Sequence, residues 1–174
     1  TITILDYGST PDGTFYIAME LLEGESLHEL LAREKVLSVE RAVHIVVQVA
    51  RALAEAHSIG LVHRDLKPEN IFISRVGLDV DLVKVLDFGI AKSEQAQGAK
   101  RVTKVGYVCG TPEYMSPEQA RGDELSPASD LYALGIVLWE MLSGRVPFEA
   151  PTPLATVLKH QNEPLPSLDA QVPQ

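Results

Sequence analysis

His63-Arg64-Asp65-Leu66-Lys67-Pro68-Glu69-Asn70, followed further along by Asp87-Phe88-Gly89, is the stretch on which the reading of this chain turns. It sets two carboxylates, an amide and an ammonium at spacings that suit Mg2+-assisted phosphoryl transfer. Asp65 is able to accept a proton from an attacking hydroxyl, and Lys67, two residues on, can reach a transferring phosphoryl group. Asn70 and Asp87 carry hard oxygen ligands of the kind Mg2+ takes beside nucleotide phosphates. Taken singly, each is an ordinary loop residue. Their order gives them weight: H-R-D-L-x-x-x-N, then D-F-G, then Ser116-Pro117-Glu118 where A-P-E is expected.

From these residues the chain resembles a protein kinase, and within that family the serine/threonine kinases of bacteria. The resemblance implies an α+β, protein-kinase-like fold, with a mainly α-helical C-terminal lobe and a remnant of the N-terminal lobe β-sheet. It makes 1–174 one partial kinase domain: last N-lobe strands in 1–20, hinge in 21–25, and a C-lobe in 26–174 that is incomplete at its C-terminal end. It implies ATP and Mg2+ as cofactors and protein Ser/Thr hydroxyls as phosphoryl acceptors. Asp65 is then the catalytic aspartate, Asn70 and Asp87 hold Mg2+, and Lys67 is the lysine that serine/threonine kinases carry there. Thr111, in Gly110-Thr111-Pro112-Glu113-Tyr114, matches the threonine that bonds the catalytic Asp and Lys and positions substrate.

The resemblance also covers the nucleotide and its regulation. Met19 would be the gatekeeper, the backbone of Glu20 and Leu22 would bond adenine, and Phe72 would form an apolar adenine floor. Ser26 aligns near the ribose contact, although capping a helix explains it fully. Arg64 would answer a phosphate in the activation loop, and Thr103 resembles an autophosphorylation threonine; Lys100, Arg101 and Lys104 beside it equally suit a solvated basic loop. Leu5, His63 and Phe88 would stack as part of a regulatory spine anchored by Asp130, which makes His63 structural and not a general base. Glu118 is expected to pair with an arginine downstream of Gln174. Ser116 for Ala in A-P-E is a mild departure.

Composition fits this reading. A chain of 174 residues with 45% hydrophobic content argues for one packed domain or part of a larger one. The net charge of −9 argues against a nucleic-acid partner. The apolar run Ala133–Trp139 is far short of the ~20 residues a membrane span needs, and no signal peptide is visible. The single Cys109 forbids an intrachain disulfide and fits a reducing, cytoplasmic setting for the kinase domain, whose parent can still be membrane-anchored or dimeric. Cys109 itself reads as a small neutral loop residue.

Local patterns set the elements. Ile2–Tyr7 and Thr14–Glu20 are β-rich runs around the turn Pro11-Asp12-Gly13, an antiparallel hairpin. Ser26 and Glu29 form a capping box that opens a helix through about Glu34. Ser38 caps a long helix, with Val39, Ala42, Val43, Val46, Ala50, Leu53, Ala54 and His57 on one apolar stripe and Gly60 at its stop. His57 reads as a helix-end residue. Ile71–Ile73 and Leu82–Leu86 make a second hairpin bending at Gly77 and Asp79. Lys92–Thr111 has no periodicity and reads as a long loop. Pro127–Ser143 is a helix apolar nearly all round, buried on every side and stopped by Gly144, and Leu154–His160 is a weaker helix.

The runner-up function is a pseudokinase or kinase-like binding module, against which Asp65, Lys67, Asn70 and Asp87 argue. A small-molecule phosphotransferase of similar fold comes third, because Gly110–Glu118 resembles a peptide-positioning segment. The Gly-rich phosphate loop and strand lysine of the family are expected upstream of Thr1. Residues 1–174 alone are therefore expected to be inactive and poorly stable.

Overall fold

The computed structural model describes residues 2–76, 79–88 and 111–168. Strands β1 (Ile4–Ser9) and β2 (Phe15–Met19) pair antiparallel, with Tyr7 opposite Ile17. The turn works as its residues dictate. Thr10 N–H donates to the Thr14 carbonyl at 2.8 Å, the Thr10 hydroxyl bonds the Asp12 carboxylate, and Gly13 takes φ 86°, open to a residue without Cβ. Both faces of this hairpin are open to solvent. Leu5 is 68% exposed, so the expected stack of Leu5 on His63 and Phe88 is not formed. A two-stranded sheet has too few neighbours to cover either face.

A second antiparallel sheet holds β3 (Gly24–Ser26), β4 (Ile71–Val76) and β5 (Asp79–Val85) in the order β3-β4-β5. Strand β3 was not legible in the sequence, and it takes in Gly24 and Glu25, the end of the expected hinge. Gly24 permits the pairing: a Cβ there would collide with the Ile73 carbonyl. Asp79 opens β5 and is not part of the bend, and Gly77 lies outside the described residues.

Helix α1 (Leu27–Glu34) begins at Ser26, whose hydroxyl accepts from Glu29 N–H at 3.2 Å while Glu29 accepts from Ser26 N–H at 2.8 Å. Helix α2 (Val39–Ser58) begins at Ser38, which accepts from Arg41 N–H. Its buried face is Ala42, Ile45, Val49, Leu53 and Ala56, with Val46 and Ala50 at its margin. Val39 (56% exposed), Val43 (49%) and Ala54 face solvent, so the expected stripe is rotated. The helix is apolar on most sides, and polar contacts break the tie. Arg41 reaches both carboxylate oxygens of Asp81 at 2.6 and 2.8 Å, and the Gln48 amide accepts from Val83 N–H. These bonds lay α2 along β5.

Helix α3 (Pro117–Arg121) was also not foreseen, being too short to show periodicity, although Ser116 and Gln119 form its capping box. Helix α4 (Pro127–Ser143) ends where expected, at Gly144 with φ 74°. It is not buried on every side: Leu131 is 54% exposed. Helix α5 spans Pro153–Asn162. The core gathers Leu27, Ile45, Leu53, Leu66, Ile71, Val137 and Met141 between α1, α2, α4 and the second sheet. Among the described residues no helix is long and apolar enough to cross a membrane.

Leu53 is fully enclosed between these elements. Leu53→Ala is expected to lower unfolding stability by about 2–5 kcal/mol, the range for a large aliphatic side chain truncated in a close-packed core. Urea unfolding measures this, and a loss within about 0.5 kcal/mol, typical of surface sites, would contradict the packing.

Candidate active site

The loop after α2 is held from below by one carboxylate. Asp130, in the first turn of α4 and 1% exposed, accepts from His63 N–H at 2.8 Å and from Arg64 N–H at 2.9 Å. His57 Nε2 lies 2.7 Å from the same carboxylate. Arg64 takes φ 69°, a left-handed conformation that costs a non-glycine residue of order 1–3 kcal/mol and persists only where surroundings impose it. Here they do so from both sides, since the Gln119 amide donates to the Arg64 carbonyl at 2.7 Å.

His63 is buried, and burial pushes its imidazole below the usual histidine range, toward the neutral form. Its Nε2–H donates to the Leu86 carbonyl at 2.8 Å, and Nδ1 accepts from Asp65 N–H at 3.3 Å. Both ring nitrogens are engaged, which leaves no base for a substrate. The Phe88 ring stands 4.8 Å from the His63 ring at 56°. Asp87 is exposed, with φ 53°.

Four of the expected site residues are linked in two pairs. Lys67 Nζ donates to Thr111 Oγ1 at 3.1 Å, and Asn70 Nδ2 donates to the Asp65 carbonyl at 2.9 Å. The second bond orients the Asn70 amide with its NH2 end on the loop backbone. The amide oxygen and the Asp87 carboxylate are hard donors, the chemistry Mg2+ takes with phosphate and water, so the residues present fit that ion. Gly89, Gly110, Cys109 and Thr103 with its basic neighbours lie outside the described residues.

Glu20, directly after β2, is tied to the second sheet by an ion pair. Lys84, in β5 opposite Phe72 of β4, bonds both carboxylate oxygens of Glu20 at 2.6 and 2.7 Å. Glu20 also accepts from Thr3 N–H at 2.7 Å. Met19 is exposed and Leu22 half-buried. The Lys84 ammonium, with the Thr3 amide, lowers the Glu20 carboxyl to about 2. A carboxyl depressed in the folded state stabilises above its unfolded value of 4.5, and that contribution is lost as pH falls from 4.5 through about 2. Lys84→Met is expected to return Glu20 to the ordinary carboxyl range. An NMR titration of the side-chain carboxyl measures it, and a wild-type Glu20 already titrating in that range would refute the ion pair.

Glu118 accepts from Ser129 Oγ at 2.6 Å. Burial opposes its charge, yet that hydroxyl and the Ser116 and backbone donors hold it below the usual carboxyl range. Tyr114 O–H donates to Glu140 Oε2 at 2.7 Å, pinning the turn Pro112–Tyr114 to α4. Burial raises both the tyrosine hydroxyl and the Glu140 carboxyl, so this is a bond to a carboxylate that desolvation disfavours. His57, Gln119 and Lys84 were missed as contributors to this site. Each is an ordinary helix or strand residue in sequence.

A carboxylate-anchored loop, a lysine–threonine bond to a following turn, and a His–Phe stack together make up this site. Residues 2–169 match the protein kinase domain family, and the chain belongs to it. It is 48% identical to serine/threonine-protein kinase pkn3 of Myxococcus xanthus, over 95% of this chain and 30% of that protein. It is 45% identical to serine/threonine-protein kinase PknA of Mycobacterium tuberculosis, over 98% of this chain and 39% of that protein. The chain thus spans between 30% and 39% of the length of these two relatives.

Proposed function

We propose that this chain is the catalytic region of a protein serine/threonine kinase that transfers the γ-phosphoryl of ATP to protein hydroxyls. The observation that carries it is the Lys67–Thr111 bond at 3.1 Å. It joins the loop bearing Asp65 to the turn over which a peptide would run, and it sets a cation beside the place of transfer. In this reading Asp65 orients the acceptor hydroxyl and takes its proton. Lys67 offers positive charge to the developing phosphoryl charge. Asn70 and Asp87 would hold Mg2+, which when bound neutralises nucleotide phosphate charge. Phe72 and the backbone of Glu20 and Leu22, behind Met19, would take the adenine. Such chemistry belongs where ATP is, in the cytoplasm.

The test is the complete protein with labelled Mg·ATP and a generic basic protein. Label on Ser or Thr is expected; no transfer to any Ser/Thr substrate would end the reading. Regulation is part of the same proposal. Phosphate on Thr103 adds roughly −1.5 to −2 charge that Arg64 is suited to answer. Thr103→Ala is expected to lower activity without unfolding, and mass spectrometry that never finds Thr103 modified in active protein would refute it.

A further inference from the structure

We infer that Lys84 is a positioning residue for the nucleotide, its ion pair with Glu20 fixing the backbone of Glu20 and Leu22 over the floor at Phe72. This rests on the proposed kinase function, in which that backbone and Phe72 take the adenine, and it names what sets their spacing. Residues 20–23 belong to no strand or helix; they join Met19, the last residue of β2, to Gly24, the first of β3. Each end of this connection is tied to the second sheet, by different means. Gly24 pairs with Ser74 in the ladder of β3 and β4. At the other end no ladder reaches across, because β1 and β2 form a sheet of their own. Among the described residues, the hydrogen bonds that cross from this hairpin and Glu20 to the second sheet are those of Lys84 Nζ to the two Glu20 carboxylate oxygens, at 2.6 and 2.7 Å.

Register places Lys84 for this task. It is the Cα partner of Phe72 in the antiparallel pair of β4 and β5, and directly opposite residues send their side chains out of the same face of a sheet. The ammonium therefore leaves the second sheet on the face that carries Phe72. Glu20 is held from the other side by Thr3: its Oε1 accepts from Thr3 N–H at 2.7 Å, and its own N–H donates to the Thr3 carbonyl at 3.0 Å. One carboxylate thus fastens the end of the hairpin to β5. Both side chains are largely withdrawn from water, Lys84 at 23% and Glu20 at 28% exposure. Apolar packing does not do this work here, since Met19 is 44% and Leu21 92% exposed. Hydrogen bonds to adenine are directional and weaken steeply out of line. A backbone already fixed over the floor binds the base without the cost of being ordered first.

The experiment is calorimetric binding of Mg·ATP to the complete protein, joined to steady-state kinetics on a Thr-containing peptide. Lys84→Met keeps most of the side-chain length and removes the charge. It is expected to weaken Mg·ATP binding about fivefold, the scale of ordering a mobile segment on binding, with the peptide KM and kcat at saturating ATP within about twofold of wild type. Lys84→Arg, which restores the ion pair, is expected to recover most of that loss. An Mg·ATP affinity unchanged in Lys84→Met overturns the inference, as does an Arg variant no better than Met or a peptide KM that rises in step. If Lys84→Met fails to fold, Glu20→Gln replaces it, since its amide oxygen still accepts from Thr3 N–H and the charge alone is lost. It too must weaken Mg·ATP binding, and an unchanged affinity overturns the inference. Wild-type protein that binds no Mg·ATP refutes the kinase function itself, whereas wild type that binds it no better than the variants refutes only this role.

Discussion

Asp65→Asn in the complete protein is expected to lower phosphoryl-transfer turnover by about 10²–10⁴-fold, the contribution of one positioned proton acceptor. The substitution is close to isosteric, and two of the bonds at this residue are made by its backbone. Asp65 N–H is bonded to His63 Nδ1 at 3.3 Å, and its carbonyl accepts from Asn70 at 2.9 Å. Both bonds are made by the backbone and survive the change. The variant should therefore melt like wild type and keep its ATP affinity while losing kcat. That split separates a catalytic role from a structural one. Near-normal turnover in a folded Asp65→Asn protein would show that the proton goes elsewhere.

Replacing Asp130 should do the opposite and damage the fold first. Its carboxylate accepts from two backbone N–H groups and lies 2.7 Å from His57 Nε2, all inside the protein. Asp130→Ala leaves these donors without an acceptor, and each orphaned buried donor costs about 1–3 kcal/mol. It also removes one of the two supports that keep Arg64 at φ 69°. The expected loss is about 3–5 kcal/mol, the combined cost of several orphaned buried donors, out of the ~5–15 kcal/mol typical of a domain. Urea unfolding measures it. Asp130→Asn should recover little, because its amide would turn a donor toward a donor. A loss below about 1 kcal/mol for Asp130→Ala would mean that the loop holds itself.

Much of the candidate site was legible because its residues sit close together in the chain. His63 to Asn70 form one loop, and the motif order alone placed Asp65, Lys67, Asn70, Asp87 and Thr111 in one chemistry. What holds that loop was not legible. His57 meets Asp130 across 73 residues, Gln119 meets Arg64 across 55, and Lys84 meets Glu20 across 64. In a one-dimensional reading these are a helix-end histidine, a helical glutamine and a strand lysine. Nothing local marks them as supports.

By itself the sequence determined the features whose causes lie within about four residues. The caps at Ser26 and Ser38, the Gly13 turn and the Gly144 stop are local, because a side-chain oxygen or a missing Cβ acts on the nearest backbone. Only the tertiary structure decided which side of α2 is buried, that Leu131 faces out, and that Gly24 starts a strand. On an apolar helix many faces can be buried with similar gain, since the hydrophobic effect is not directional. The choice falls to directional bonds from distant residues, such as Arg41 to Asp81, and those exist only once the chain has folded.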